Sequence, residues 1–292
     1  MKKYLVTGGA GFIGSNIAAG FYWLDSNAED LDAIIHMGAI SSTTETDGDL
    51  MLETNFTLPR ILWAWCRENG KRFIYASSAS VYGGGEHGFD DDISLEGMNK
   101  LRPLNTYGWS KYIFDYHVAR ALARGEETPA QWAGLRFFNV YGPNEYHKGN
   151  QQSVISRIFP RAKEGLAVNL FKSYHPDYQD GEQLRDFVYV KDCVDVVLWL
   201  IDNPSTSGMF NVGSGKARSF NDLAAATFAG AGKETNISFI DMPEELKNKY
   251  QYFTESNNGR LQAAGYSKTF QSLEDGVGDY VQNYLMLPDP HL

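Results

Sequence analysis

Tyr107 and Lys111 stand four residues apart at the head of a helical stretch, in Asn-Thr-Tyr-Gly-Trp-Ser-Lys at 105–111 followed by Tyr-Ile-Phe-Asp-Tyr-His-Val. At that spacing both side chains leave one face of a helix, a turn apart. A phenol ionises near pH ~10, and an ammonium held within a few Å favours the phenolate, so Tyr107 is a candidate general acid/base. The pair alone is weak evidence. With 17 Tyr and 26 Lys plus Arg in 292 residues, roughly one or two such pairs arise by chance, and Tyr116 with Arg120 is another. The surrounding elements decide what it means.

Those elements begin at Tyr4–Thr7, a short apolar strand that runs into Gly8-Gly9-Ala10-Gly11-Phe12-Ile13-Gly14 and then the helical Ser15-Asn16-Ile17-Ala18-Ala19. Gly8, Gly11 and Gly14 supply a tight turn, close approach of backbone to a pyrophosphate, and close helix–strand packing, while the helix N-terminus faces the anion. Strand, glycine turn and helix in that order mark a dinucleotide site, and an oxidised nicotinamide near Tyr107 would further favour its phenolate. Such a fold calls for a second strand ending in an acidic residue about 20 positions on. Here Phe21–Leu31 reads as a helix running into the strand Ala33–His36, and no apolar strand delivers Asp25, Glu29, Asp30 or Asp32. On the order of 40 residues, a βα unit plus a strand, are therefore expected to be missing between about Ala19 and Tyr22, leaving the first strand with a bare edge. The residues that choose between NADP and NAD belong to that missing strand.

Ala33–Met37 is an apolar strand whose carboxyl end, Gly38-Ala39-Ile40-Ser41-Ser42-Thr43, lies where cofactor contacts are expected in an open α/β sheet. Residues 50–69 read as a helix carrying Asn55, with Trp63 and Trp65 as core. Phe73–Ala76 is the next strand, with the hydroxyls of Ser77-Ser78-Ala79-Ser80 at its edge, and Gly84–Pro103 reads as a loop. Trp132–Val140 reads as one strand leading into Tyr141-Gly142-Pro143. Residues 144–185 mix His147, Lys148, Arg157, Arg161, Lys172, His175 and Arg185 with Tyr146, Phe171, Tyr174 and Tyr178, a combination suited to an anionic, ring-bearing ligand. Phe187–Val190 and Val194–Leu200 return to strand and helix, and Met209–Val212 is expected to be the last strand. The pattern predicts an α/β fold, a Rossmann-type doubly wound parallel sheet with a smaller C-terminal substrate-binding lobe. Residues 1–143 and 186–215 are assigned to the dinucleotide-binding domain, and 144–185 with 216–292 to the lobe.

A net charge of −10 and a pI near 5.1 argue against a nucleic-acid or anionic-membrane surface, so an anionic substrate must be held by a few local cations. Cys66 and Cys193 sit in apolar or helical contexts and are expected to be reduced core thiols. No signal peptide and no apolar run near ~18 residues is present, which predicts a cytoplasmic protein. The six histidines lack ligand spacing, and no metal is expected.

Together these pieces resemble the extended short-chain dehydrogenase/reductase family of nucleotide-sugar enzymes, through Thr7–Gly14, His36–Ala39, Ala76–Gly83, Tyr107–Lys111, Phe138–Pro143 and Arg185–Val190. Within it, Ser41–Glu45, Asn139–Gly149, Arg185–Phe187 and Tyr250–Thr254 look like the epimerases that act on an ADP-linked heptose, and the segment holding Lys148 is specific to that group. The resemblance implies Ser78, Tyr107 and Lys111 as the catalytic trio and Lys148 as a second acid/base. It implies NADP, with NAD as the other possibility, against Gly8, Gly11, Phe12, Ile13, Gly14, Met37, Gly38, Ala39, Ile40, Ser41, Asn55, Tyr107, Lys111 and Val140. It places the ADP-heptose substrate against Ser78, Asn139, Lys148, Asn150, Arg157, Phe171, Lys172, Ser173, Arg185 and Tyr250. Asn150 stands where some relatives have a serine, and Arg157 replaces a histidine. The exposed aromatic Trp109 points to a homo-oligomer. A 4-epimerase or 4,6-dehydratase of another nucleotide sugar is the competing enzyme, the dehydratase disfavoured because Ala79 and Ser80 follow Ser78 where an acid/base pair is needed. A dinucleotide-sensing protein without turnover is the alternative from another class.

Overall fold

The computed structural model describes residues 3–7, 24, 28–42, 45, 47–247 and 250–290, with the backbone alone of His147, Lys148, Asn150 and Glu245. The glycine turn Gly8–Gly14 and the proposed gap near residue 20 lie outside the described residues, as does most of the helix expected over Phe21–Leu31, of which Ala28–Asp30 is a 3-10 turn. The chain divides into two compact units, Met1–Phe137 with Val197–Asn211, and Phe138–Val196 with Val212–Leu292.

In the first unit, Tyr4–Thr7 (β1), Ala33–His36 (β2), Arg72–Ser78 (β3) and Trp132–Phe137 (β4) pair in parallel. Gly208–Val212 (β8) completes a five-stranded sheet of order β1-β2-β3-β4-β8. Every residue of β2 is buried, as a strand covered on both faces requires, which is why it is apolar throughout apart from its last residue, His36. In a doubly wound sheet of order 3-2-1-4-5-6, the run 1-4-5-6 corresponds to β1-β2-β3-β4 here, with β8 as a further strand beyond it. Among the described residues β1 is the edge, and its Val6 is 61% exposed.

The helix expected over 50–69 is Gly48–Leu52 (α1), a π turn at Glu53–Thr57 and Leu58–Glu68 (α2) in unbroken succession. Pro59, at the start of α2, lacks the N–H that an α-helical turn would use at that point, and the turn before it widens. The loop expected over Gly84–Pro103 contains a short helix, Leu95–Lys100 (α3), because Ser94 caps it through Oγ, which accepts from Gly97 N at 3.0 Å. Asn105 caps Thr106–Ala123 (α4) in the same way, its Oδ1 accepting from Gly108 N at 2.9 Å. Trp63 is central to the core: its ring lies 5.9 Å from Trp132, 6.2 Å from Phe73 and 6.4 Å from Phe114, edge-on in each case. Trp65 and Cys66 are buried in the same cluster, and Cys66 and Cys193 are buried cysteines not joined in a disulfide.

The strand expected over Trp132–Val140 breaks at Phe138. Its N–H donates to Val212 O at 3.0 Å, and Asn139–Tyr141 (β5) joins a separate sheet in the second unit. There β5 pairs in parallel with Leu184–Tyr189 (β7), which pairs antiparallel with Ala217–Ser219 (β9). Val168–Phe171 (β6) pairs in parallel with Ile237–Ile240 (β10). Met209–Val212 is thus followed by two further strands. β9 has only three residues and β10 is mostly exposed, so neither carries a clear hydrophobic alternation. Val154–Ala162 (α5), Phe220–Gly230 (α7) and Leu273–Tyr280 (α10) bury Ile155, Phe159, Leu223, Val277 and Tyr280 against Tyr141 and Phe187; Val190–Asp202 (α6), Glu244–Lys247 (α8) and Gly259–Ala263 (α9) complete the helices described. Among the described residues no helix is long and apolar enough to cross a membrane.

Candidate active site

Ser78, Tyr107 and Lys111 come together in the first unit. Ser78 ends β3 and caps the 3-10 turn Ala79–Tyr82, its Oγ accepting from Ser80 N at 3.2 Å and lying 2.6 Å from Ser80 Oγ. Gly108 lets the head of α4 approach that turn: a Cβ there would sit 2.8 Å from Ser80 O and 3.0 Å from Pro103 Cβ. Burial raises the Tyr107 phenol, and a hydrogen bond from the Ser78 hydroxyl pulls it back down. The sequence assigned that downward pull to Lys111; in the structure it comes from Ser78, and Lys111 Nζ donates to Ala76 O at 2.8 Å. Burial brings Lys111 itself down to about 8, opposed by Asp115.

The carboxyl end of β2 flanks this group. Met37 N donates to Thr7 O at 3.1 Å, and Gly38, Ala39, Ile40 and Ser41 follow. Asn55, brought in by the π turn, is buried and binds Ile40 on both sides, Oδ1 accepting from Ile40 N and Nδ2 donating to Ile40 O, each at 2.9 Å. Its Nδ2 also donates to Ser110 Oγ at 2.9 Å. Asn55 thereby ties the loop after β2 to α4, and its amide is occupied by protein partners.

A lysine ammonium has three N–H donors, and the Ala76 carbonyl uses one of Lys111's. The ammonium, the Tyr107 phenol and the Ser78 hydroxyl stand at the carboxyl ends of parallel strands, where a doubly wound sheet binds its ligand. This donor set fits the nicotinamide-ribose half of a dinucleotide; Gly8, Gly11, Phe12, Ile13 and Gly14, expected to hold the pyrophosphate, lie outside the described residues.

The second unit gathers another group. Arg185 on β7 is 6% exposed and stacks on Tyr250 at 5.1 Å and Phe220 at 5.9 Å, donating to Leu184 O at 2.8 Å and to Gln251 O. Burial holds its guanidinium below the usual range. Tyr252 lies 5.2 Å from Tyr250, 5.4 Å from Tyr178 and 5.0 Å from His175. Its hydroxyl accepts from Tyr174 N at 3.0 Å, and Gln183 Nε2 donates to Phe171 O and Lys172 O, each at 3.3 Å. Phe171, Lys172, Ser173, Arg185 and Tyr250 are therefore brought together. Lys172 Nζ donates to Asp241 at 3.1 Å. Asn139 is exposed on β5 and Val140 follows it. Arg157 is exposed on α5, and among the described residues no hydrogen bond or ion pair joins its side chain to the group.

Lys148 and Asn150 belong to the 3-10 segment Tyr146–Gln151. Buried Glu145 closes that segment, accepting from Ser153 N and Ser153 Oγ, each at 2.6 Å, and from Tyr280 OH at 2.9 Å. Glu145 and Asp115 both escaped the sequence reading; the available signal for Asp115 was its place four residues beyond Lys111 on one helical face. Among the described residues no group of three His, Cys, Asp or Glu side chains could hold a metal ion.

A family model described as the NAD dependent epimerase/dehydratase family matches residues 23–213. The chain belongs to this family. Within it, the chain is 49% identical over 278 residues to the ADP-L-glycero-D-manno-heptose-6-epimerase of Fusobacterium nucleatum, covering 92% of this chain and 82% of that one. The protein of the same name from Alkalilimnicola ehrlichii is 39% identical over 317 residues, with 95% and 96% covered. That span exceeds the 292 residues of this chain, so the relative carries residues within the aligned region that this chain lacks. Among solved structures, the Helicobacter pylori ADP-L-glycero-D-manno-heptose-6-epimerase superposes with a TM-score of 0.73 at 26% identity, covering 97% of this chain and 96% of the other.

Proposed function

We propose that this chain epimerises ADP-D-glycero-D-manno-heptose at C6'' to the L-glycero form, using bound NADP. The observation that carries the chemistry is the Tyr107 phenol, hydrogen-bonded to Ser78 and one helical turn from the buried Lys111. The substrate class is supported by the relatives' names and by the segment that holds Lys148.

A carbon bearing only H, OH and carbons is too weakly acidic to invert by direct deprotonation. Bound dinucleotide supplies a hydride acceptor and, afterwards, the donor. Tyr107 takes the hydroxyl proton as hydride leaves, and Ser78 hydrogen-bonds the reacting oxygen. The ketone then turns its other face, and Lys148 delivers the proton as hydride returns; in the reverse direction the two exchange roles. Lys111 holds the nicotinamide ribose and Asn55 the loop after β2. Arg185, a buried cation among aromatic rings, suits the diphosphate of the sugar nucleotide, with Asn139, Lys172, Ser173, Phe171 and Tyr250 as further contacts; Asn150 and Arg157 are assigned to finer contacts.

The same proposal assigns 1–143 with 186–215 to the dinucleotide and 144–185 with 216–292 to the sugar nucleotide. It makes the chain a cytoplasmic homo-oligomer without a nucleic-acid partner. The oligomer is supported by the aromatic run on α4, where Trp109 is 41% exposed, Tyr112 lies 5.2 Å from it and Tyr116 stacks on Tyr112 at 5.7 Å.

Tyr107→Phe and Lys148→Ala are each expected to cut conversion of the ADP-heptose by about 100-fold or more, measured by proton NMR of the two epimers. Full activity in Lys148→Ala, with turnover of a UDP-hexose, would replace this proposal with a 4-epimerase.

A further inference from the structure

One buried carboxylate has no part in the chemistry above. Asp115 lies a helical turn beyond Lys111 on α4 and is fully buried. It accepts from Arg136 Nε at 3.0 Å, Ser77 Oγ at 2.8 Å and Tyr75 OH at 3.3 Å. With Lys111, His36, Asn55 and Ala76 it lines a crevice with no room for a water molecule between the side chains. The carboxylate and the ammonium are both buried, and in such surroundings charges act on one another more strongly than in solvent.

The placement also sets register. Three residues of α4, one turn apart, meet three consecutive residues of β3: Tyr107 the Ser78 hydroxyl, Lys111 the Ala76 carbonyl, and Asp115 the Ser77 hydroxyl. A helical turn rises ~5.4 Å and a strand ~3.3 Å per residue, so no slide of the helix by a fraction of a turn preserves all three contacts. We propose that Asp115 is a positioning residue for the Tyr107–Lys111 pair: its clamped carboxylate holds α4 in register on β3 and supplies the negative charge that keeps the Lys111 side chain an ammonium.

The titratable and charged groups around Lys111 are His36 from β2, Tyr75 from β3, Arg136 from β4, and Tyr107 and Asp115 on α4 itself. His36 is held down to about 3 by burial and by Lys111, so its ring is neutral. Burial pushes Tyr75 well above the usual range. Burial also raises the Asp115 carboxyl, while Arg136, Ser77 and Lys111 pull it down; beside a guanidinium that does not deprotonate, it is the carboxylate. Asp115 is therefore the negative charge opposing the burial of Lys111.

Asp115 has this role in catalysis only if Tyr107 and Lys111 are the working pair, and the test separates the two claims. Lys111 Nζ is titrated by NMR of protein labelled with 15N-lysine, assigned by its absence in Lys111→Met, in Asp115→Asn and in Asp115→Asn/Arg136→Gln, which removes both buried charges. The expected result is a midpoint lower by about one pH unit or more in the folded variants, the alkaline limb of kcat moving with it, and restoration by Asp115→Glu. An unmoved midpoint in either folded variant, or failure of both to fold, would assign Asp115 to the core alone and overturn the proposal. A moved midpoint with Lys111→Met fully active would instead overturn the assignment of the working pair.

Discussion

His36 shows how much of this site's character comes from burial. Its Nδ1 lies 2.7 Å from Thr7 Oγ1, its Nε2 has no hydrogen-bond partner among the described residues, and its ring stacks on Phe73 at 6.1 Å. Unfolded, the imidazole takes a proton below its ordinary value of 6.5, whereas in the folded chain it stays neutral down to about 3. The unfolded state therefore binds more protons through that window, and stability falls as pH drops through it. By about pH 4 the loss from this one group is on the order of 3 kcal/mol. His36→Asn should lack that component, so urea unfolding at about pH 7 and pH 4 should show a smaller acid loss than the native chain. An equal loss in both would remove His36 from the acid response. Of the residues at the site, Tyr107 and Lys111 were legible as a pair from helix spacing, whereas Ser78 came from the family resemblance, since a strand end does not distinguish it from Ser77 or Ser80. Arg136, 21 positions from the Asp115 it clamps, was not legible, since only the packing of β4 on β3 brings it there.

At the scale of elements, the proposed chemistry requires α4 to lie close against the turn after β3. Gly108→Ala would set a methyl 2.8 Å from Ser80 O, and backbone cannot yield there without moving the helix head. The helix itself should tolerate or favour alanine. The expected outcome is a kcat lower by about 10- to 100-fold with a small change in Tm, since a displacement near 1 Å at reacting groups has that scale of effect. Unchanged kcat would show that the approach of α4 to the turn does not govern the site. Elements with strong local signals were readable: β2 and β3 as apolar runs and α4 from its pattern. The others escaped for local reasons. α3 is a single capped stretch in a polar loop, β9 is three residues long, and β10 is exposed. The break at Phe138 falls where no Gly or Pro marks it, and the bond from Phe138 N to Val212 O reveals it.

For the molecule as a whole, the described residues form the sheet order β1-β2-β3-β4-β8, and the acidic strand expected from the sequence falls outside the described residues. The second strand, which would flank β1 in a full doubly wound sheet, is the one expected to carry the acidic residue for the adenosine ribose. Against a net charge of −10, the proposed function relies on a few buried or clustered cations, Lys111 and Arg185 foremost, to hold its anionic ligands. The central claim is that inversion proceeds by internal oxidation and reduction, with the transferred hydrogen never meeting solvent. It is tested most directly by proton NMR of ADP-D-glycero-D-manno-heptose incubated with the protein as purified, in D2O and without added cofactor. The predicted result is conversion to the L-glycero epimer with protium retained at C6''. Deuterium at C6'', or no conversion by protein carrying its dinucleotide, would contradict it.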